Sequence, residues 1–309
     1  MKKVKTVYDH IRSNNIKTII LVALFPVVFI ALVFLFSWIV VPASDAARVA
    51  VGVAIPTVIA CLVWMGISWA FGDSMILSVA GAHEIKDTDP ANRQIFRSVE
   101  NVALAAGLPT PRVYIIDDDS MNAFATGRGP KDASVALTRG IIKRLDRLEL
   151  EGVIAHEMAH IGNRDIRLDM LLITGVGVTV FAADILIRLI ASGGARNSDD
   201  NKSAGAVLVM VWLALMVFNF VITPLLRMAI SRSREYAADA TGAQITRNPA
   251  ALASALRKIT TDSRVECLDK VKAMSAMCIA NPRAPRELVG DMLATHPPVA
   301  KRIARLESM

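Results

Sequence analysis

His156, Glu157 and His160 stand as H-E-M-A-H within the stretch Glu151 to Asp165. On an α-helix, two histidines four residues apart project from one face one turn apart, which suits both to a single zinc ion. The carboxylate between them, Glu157, then stands where it can act as general base on a water beside the metal. That combination is the front half of a metal-assisted hydrolytic site. The plain alternative is a histidine pair on an ordinary helix, since five-residue matches arise by chance. The surrounding residues argue against it: Leu148 to Ile161 is periodic in apolar residues, free of proline and interrupted only by Gly152, and reads as a helix half buried in a core.

The elements that must position these groups lie in an unusual chain. Over 309 residues, 53% are hydrophobic and the mean hydropathy is +0.44, too apolar for an ordinary soluble domain. Four long runs carry the excess: Thr18 to Val41, Val49 to Phe71, Met170 to Ala191 and Ala204 to Ile230. Each reaches the roughly 20 residues a helix needs to cross a bilayer. The first follows five basic residues and ends near Val41-Pro42-Ala43, like a signal peptide. At 24 residues it is too long for a signal h-region, and a second span follows within ten residues. Lys and Arg number 5 in residues 1–17, 12 in 73–168 and 13 in 231–309, against 1 in 42–48 and 2 in 192–203. Four spans put the three basic segments on one side, and the positive-inside rule makes that side the cytoplasm. The net charge of +7 is then a topology signature with some attraction to anionic lipid, and nucleic acid is not an expected partner. Cys61, Cys267 and Cys278 have no metal-ligand spacing and read as apolar fillers in a reducing compartment.

The expected organisation is a cytosolic tail (1–17), a hairpin of two spans (18–72), a first catalytic part (73–168), a third span (169–192), an external loop (193–203), a fourth span (204–230) and a second catalytic part (231–309). In the first catalytic part a helix is expected from about Asp89 to Ala106, with strands at 112–116, 122–126 and 134–138, the last two paired as a hairpin. The histidine helix is expected to run through Asn163, Arg164 and Asp165 into span three without a stop. Asp117 to Asp119 read as a solvated turn rather than a cation site. Asp184 and Arg188, four apart, are expected to pair near the outer end of span three and snorkel. His10 and His83 read as surface residues.

A catalytic zinc site needs a third protein ligand, and a carboxylate beside two histidines is an established set. A helix expected at Arg227 to Ala240 carries Glu235 and Asp239 four apart on one face. His160 lies about ten residues before span three and Glu235 about five after span four, so both sit roughly 8 to 15 Å from the membrane at 1.5 Å per residue. That makes Glu235 the candidate third ligand. Asp239, one turn on, is suited to accept the free N–H of a ligand histidine, or else to pair with Arg232 or Arg234. Asn122, Ala123 and Phe124 open a strand suited to pair with an extended substrate backbone, or to serve as plain scaffold.

Four motifs in order then show a family likeness: N-A-F-A-T-G at Asn122 to Gly127, V-I-A-H-E-M-A-H at Val153 to His160, S-R-E-Y-A-A-D-A at Ser233 to Ala240, and T-H-P-P-V-A-K-R-I at Thr295 to Ile303. With two spans before the second catalytic motif and two after it, the chain resembles the HtpX family of bacterial inner-membrane zinc metallopeptidases, more distantly related to the prenyl-protein (CAAX) endopeptidases. Tyr236 and the short loop 193–203 depart from the pattern without removing a ligand. The resemblance implies an α-helical membrane protein with four transmembrane helices and a cytosolic α+β, zincin-like (gluzincin) catalytic domain with a small β-sheet. It implies one zinc per chain on His156, His160 and Glu235, with Glu157 as general base. Thr295-His296-Pro297-Pro298 makes His296 a candidate donor to the oxyanion or an occupant of the metal's open position, with Arg302 on the following helix to hold it or add charge. The implied substrates are misfolded or damaged membrane proteins, cut on the cytosolic side of the bacterial inner membrane as quality control under stress.

Other classes fit less well. A transporter or channel should place charge mid-membrane, and the first two spans have none. A membrane scaffold has no need of H-E-x-x-H with a matched carboxylate. A CAAX-type endopeptidase should have more spans. Oligomeric state and cleavage preference are not encoded in these patterns.

Overall fold

The computed structural model describes residues 7–40, 43–191, 202–218, 220, 232–261 and 297–309. The described residues form two compact units, one falling within 1–15, 71–173 and 227–309 and the other within 16–70 and 174–226.

In the apolar unit, α1 (Val7–Val40) and α2 (Ala43–Val79) carry Pro26 and Pro56 inside long helices. α6 (Asp165–Ala191) and α7 (Lys202–Val217) follow later in the chain. Phe29, Val33, Ala183, Met210, Ala214, Leu215 and Phe218 form its core, with the Phe29 and Phe218 rings edge-on at 6.2 Å. The Trp64 indole N–H donates to the Thr174 carbonyl at 3.3 Å. Ile19, Ile39, Ile55, Ile59 and Phe181 stand exposed, which suits a hydrocarbon surround better than water. Ala47–Val79 and Asp165–Arg188 are long and apolar enough to cross a membrane, and Pro26–Phe36 and Val207–Val217 are shorter apolar helices. The described residues thus supply two of the four expected spans at full length. Asp184 and Arg188 pair at 2.8 Å on an exposed face, as their spacing suggests.

The other unit is built on a four-stranded sheet in the order β1-β2-β4-β3: β1 (Ala82–Ile85), β2 (Arg112–Ile116), β3 (Ala123–Thr126) and β4 (Ser134–Thr138). β3 and β4 pair antiparallel, as the hairpin reading expects. β2 and β4 pair parallel, and β1 adds antiparallel to β2. Neither feature was expected, because A-H-E-I is short and only half apolar. α3 (Arg93–Ala105) is shorter than expected at its start, and α4 (Arg139–Arg144) is a further short helix capped by the Thr138 hydroxyl. α5 (Arg147–Gly162), α8 (Arg232–Thr246), α9 (Pro249–Thr261) and α10 (Val299–Glu307) complete the unit.

α5 is the centre of this packing and touches α3, α8, α9 and β3. It is not half buried, as its periodicity suggests, but buried almost all round, because it is enclosed from several sides. Its start is fixed by a capping box: Asp146 accepts from the Glu149 N–H, and Glu149 accepts from the Asp146 N–H, both at 2.9 Å. Glu149 also accepts from the Ser254 hydroxyl at 2.7 Å and from Lys258 at 2.6 Å, tying α5 to α9. Gly152 permits that approach, since a Cβ there would lie 3.2 Å from the Leu252 backbone. The expected continuous run from α5 into span three is corrected: α5 ends at Gly162, Arg164 takes φ 59°, and α6 starts afresh at Asp165. A left-handed residue other than glycine is costly enough to need a reason.

Candidate metal centre

Two helices build the centre. α5 supplies His156, Glu157 and His160, and α8 supplies Glu235 and Asp239. On α8, residues 235, 239 and 242 fall at i, i+4 and i+7 and so share a face. At Gly242 that face meets the backbone of α5, where a Cβ would lie 3.0 Å from the His156 nitrogen. The absence of a side chain at 242 lets the helices approach, and the two acids one and two turns earlier are carried onto the histidines.

The Nε2 atoms of His156 and His160 face each other at 3.2 Å, with the rings edge-on. Glu235 bridges them, Oε1 at 3.7 Å from His160 Nε2 and Oε2 at 3.8 Å from His156 Nε2. Ligand atoms about 2.0 to 2.2 Å from one tetrahedral ion are about 3.3 to 3.6 Å apart. The three donors therefore lie within a few tenths of an ångström of the separations one zinc ion requires, and two imidazoles with one carboxylate are a suitable donor set. His156, His160 and Glu235 also form the metal-capable cluster found among the described residues.

Behind these donors stand other charged groups. His156 Nδ1 lies 3.0 Å from Asp239 Oδ1, at ion-pair distance but not aligned as a hydrogen bond. Arg302 donates Nε and Nη2 to the two oxygens of Asp239 at 2.8 and 2.7 Å, a bidentate fork. Its Nη1 is 3.5 Å from Glu235 Oε2. Asp239 thus pairs with Arg302, while Arg234 turns instead to Asp169. Arg302 is completely buried, carried there by α10, which is also held to α8 by Arg305 stacked 4.9 Å above the Tyr236 ring. His160 Nδ1 is hydrogen-bonded to Asp165 Oδ2 at 2.8 Å.

This setting moves the titrations. Burial lowers His156, reinforced by the Arg302 and His160 charges and only partly opposed by Asp239. Burial also acts to lower His160, but the Asp165 hydrogen bond and the Glu235, Asp165 and Glu157 charges win and push it up to about 9. Glu157 is pushed up to about 7, first by burial and then by Glu235, against the pull of His160, Arg302 and the Ala125 N–H. A carboxyl group that gains and loses its proton near neutrality suits a general base. Asp239 falls to about 2 because Arg302 and His156 outweigh its burial.

β3 is the sheet edge beside this centre. Asn122, Ala123 and Phe124 are all buried. The Asn122 N–H donates to the Thr138 hydroxyl at 3.0 Å, and the Asn122 Oδ1 accepts from the Ala123 N–H at 2.9 Å. The Ala125 N–H is directed at Glu157, which sets the base against the strand. Asp118 closes its own turn by accepting from the Ser120 N–H, and Asp117 and Asp119 pair with Arg139 and Lys143, as a solvated turn would. His83 is exposed. His296, Cys267, Cys278 and residues 193–201 of the expected loop lie outside the described residues, as does the His10 side chain, and residues 202–203 of that loop already belong to α7.

Sequence reasoning missed Asp165 and Arg234. A helical spacing rule does not bring a residue five positions on back to His160; the left-handed Arg164 does. The available signal was the polar Asn163-Arg164-Asp165 break between two apolar runs.

The model of peptidase family M48 matches residues 90–309. A protease HtpX homolog of Lactobacillus helveticus is 39% identical over 312 residues, covering 98% of this chain and 99% of the relative. The homologs of Bacteroides fragilis and Caldanaerobacter subterraneus are each 37% identical, covering 95% and 99% of this chain and 96% and 98% of theirs. The crystal structure of S. mikatae Ste24p aligns with a TM-score of 0.48 at 16% identity, covering 81% of this chain and 57% of that one, a likeness too loose to bear on fold or activity. With the histidine pair, the bridging carboxylate and the buried base in one cradle, and with that family match, the chain belongs to the M48 metallopeptidases, as a membrane protease of the HtpX type.

Proposed function

We propose that the chain is a zinc endopeptidase of the bacterial inner membrane that cuts misfolded or damaged membrane proteins on the cytosolic side. The observation that carries the reading is the cradle of His156, His160 and Glu235, with Glu157 set between it and the edge strand β3. Bound there, zinc would supply Lewis-acid polarisation of the scissile carbonyl and of the attacking water. The chain's own groups do the rest. Glu157 takes the proton of the water and returns it to the leaving amine, for which a carboxyl group titrating near 7 is well poised. β3 offers backbone groups to an extended substrate, which gives binding with little sequence demand. Arg302 keeps Asp239 ionised behind His156.

Support for the membrane setting comes from the apolar helices and the protease names of the relatives. Four spans, cytosolic termini and the two-part catalytic domain rest on the distribution of Lys and Arg. His296, on its proline-bordered loop, is proposed as a donor to the developing oxyanion. His296→Ala should then lower turnover by roughly 100-fold with zinc content unchanged, whereas a rise in basal cleavage would mean that it blocks the site. The central test is the purified protein in detergent: about one zinc per chain, lost in the His156→Ala, His160→Ala double variant. Glu157→Gln should keep the metal and lose at least about 100-fold in peptide cleavage.

A further inference from the structure

Among the described residues, a charged cluster that this mechanism leaves unused lies behind His160. Asp165 and Asp169 stand one turn apart at the N-terminal end of α6, and Arg234 precedes Glu235 on α8. Asp165 and Arg234 are buried. Arg234 Nη2 donates to Asp169 Oδ1 at 2.9 Å, and its Nη1 is 3.7 Å from Asp165 Oδ1. Asp165 turns its other oxygen to His160 Nδ1 at 2.8 Å. The chain of contacts is therefore Asp169, Arg234, Asp165, His160, running from α6 to α8, back to α6 and on to α5.

Its consequence lies in imidazole chemistry. A histidine can bind metal through either nitrogen, and a carboxylate on one of them leaves the other as donor and fixes the ring plane. With Nδ1 held by Asp165, His160 presents Nε2, which is the atom facing His156 and Glu235. Asp165 could not do this alone. Two carboxylates one turn apart, Asp165 buried and Asp169 partly so, repel each other, and without a cation between them Asp165 would be driven from its place against the ring. Arg234 supplies the compensating cation from the helix that also carries Glu235.

We infer that Asp165 and Arg234 are positioning residues for the metal: Asp165 selects and aims the donor nitrogen of His160, and Arg234 holds Asp165 in place from α8. The left-handed Arg164 acquires a purpose in this scheme, since the sharp turn there brings Asp165 back onto His160. Because α6 continues as an apolar span, the first turn of a membrane-spanning helix becomes part of the support of the metal cradle.

The inference rests on the zinc-peptidase reading, and one experiment separates the two. The full-length chain in detergent micelles is stripped with a chelator, and its zinc affinity is measured by competition with a zinc-sensitive dye. A wild-type chain that binds no zinc would sink the reading and the inference together. Given zinc binding, Asp165→Ala should weaken affinity by about 10 to 100-fold and Asp165→Asn by about 10-fold, the usual cost of losing such a support. The d–d absorption of the Co(II)-substituted Asp165→Asn protein should shift, a readout that a purely structural role would not move. Arg234→Met alone leaves both carboxylates without their cation, so it is paired with Asp169→Asn; that double variant should still bind zinc more weakly, and Arg234→Lys should recover part of the loss. Thermal melting of each stripped variant reports folding separately. Affinity within about threefold of wild type in folded Asp165→Ala, or an unchanged cobalt spectrum in Asp165→Asn, would overturn the inference.

Discussion

Gly242 of α8 lies against His156 of α5 so closely that a Cβ would stand 3.0 Å from the His156 nitrogen. The contact is with backbone, which cannot swing aside as a side chain can. The separation of the two helices that carry the metal donors is therefore set by the absence of one methyl group.

Gly242→Ala should force α8 outward and carry Glu235 away from the histidines. Overpacking of this kind costs about 1 to 3 kcal/mol. The melting temperature and the zinc content per chain should both fall, and a variant matching wild type in both would show that the helices have room to spare.

Glu235→Ala should lower zinc affinity more than Asp239→Ala does. The first change removes a donor that bridges both histidines, and the second removes only a support, for which about 10 to 100-fold is typical. Equal zinc affinity in wild type and Glu235→Ala would move the third ligand elsewhere.

Arg302→Met should destabilise the fold by about 3 to 5 kcal/mol, because it leaves Asp239 as a buried charge without its bidentate partner. Adding Asp239→Asn removes that charge and should restore a large part of the loss. Chemical denaturation of the two variants in the same detergent measures both, and a double variant no more stable than the single one would contradict the pairing.

Stability should depend on pH through Glu149. Burial raises its pKa, but hydrogen bonds from Lys258, Ser254 and the Asp146 backbone outweigh this and leave it below the usual glutamate value. A folded-state pKa below the unfolded one stabilises the fold at pH values above the unfolded pKa, about 4.3. That contribution disappears as pH falls through the lowered folded value. With Lys258 partly exposed, the hydrogen-bonded charge is worth about 1 to 2 kcal/mol. The melting-temperature gap between wild type and Glu149→Gln should be full at pH 7 and close progressively below about pH 4; a gap independent of pH would assign the effect to shape rather than charge.

The proposed topology is open to labelling. A cysteine placed in the loop 193–203 should react with an impermeant reagent only from outside the cytoplasmic membrane, and one replacing Ser263 only from inside. Reversed labelling would put the catalytic parts on the other face and overturn the cytosolic assignment of substrates.

Much of the site was legible in the chain itself, because its chemistry is local. His156 and His160 share a face through helical spacing alone, and Glu235 and Asp239 do likewise. The strand pair at 123–126 and 134–138 also follows from short-range pattern. The four apolar runs pointed to a membrane protein by length and composition. The tertiary structure decided what lies between distant segments. That β2 joins β4 in parallel depends on pairing across a crossover, which no periodicity in either strand encodes. That Asp239 takes Arg302 as its partner depends on α10 docking against α8, 63 residues further along the chain. That Asp165 reaches His160 depends on one residue, Arg164, adopting a left-handed conformation. Helical and strand periods are properties of adjacent residues, whereas burial of a charge is stable only where another segment brings the opposite charge, and that is settled when the helices pack.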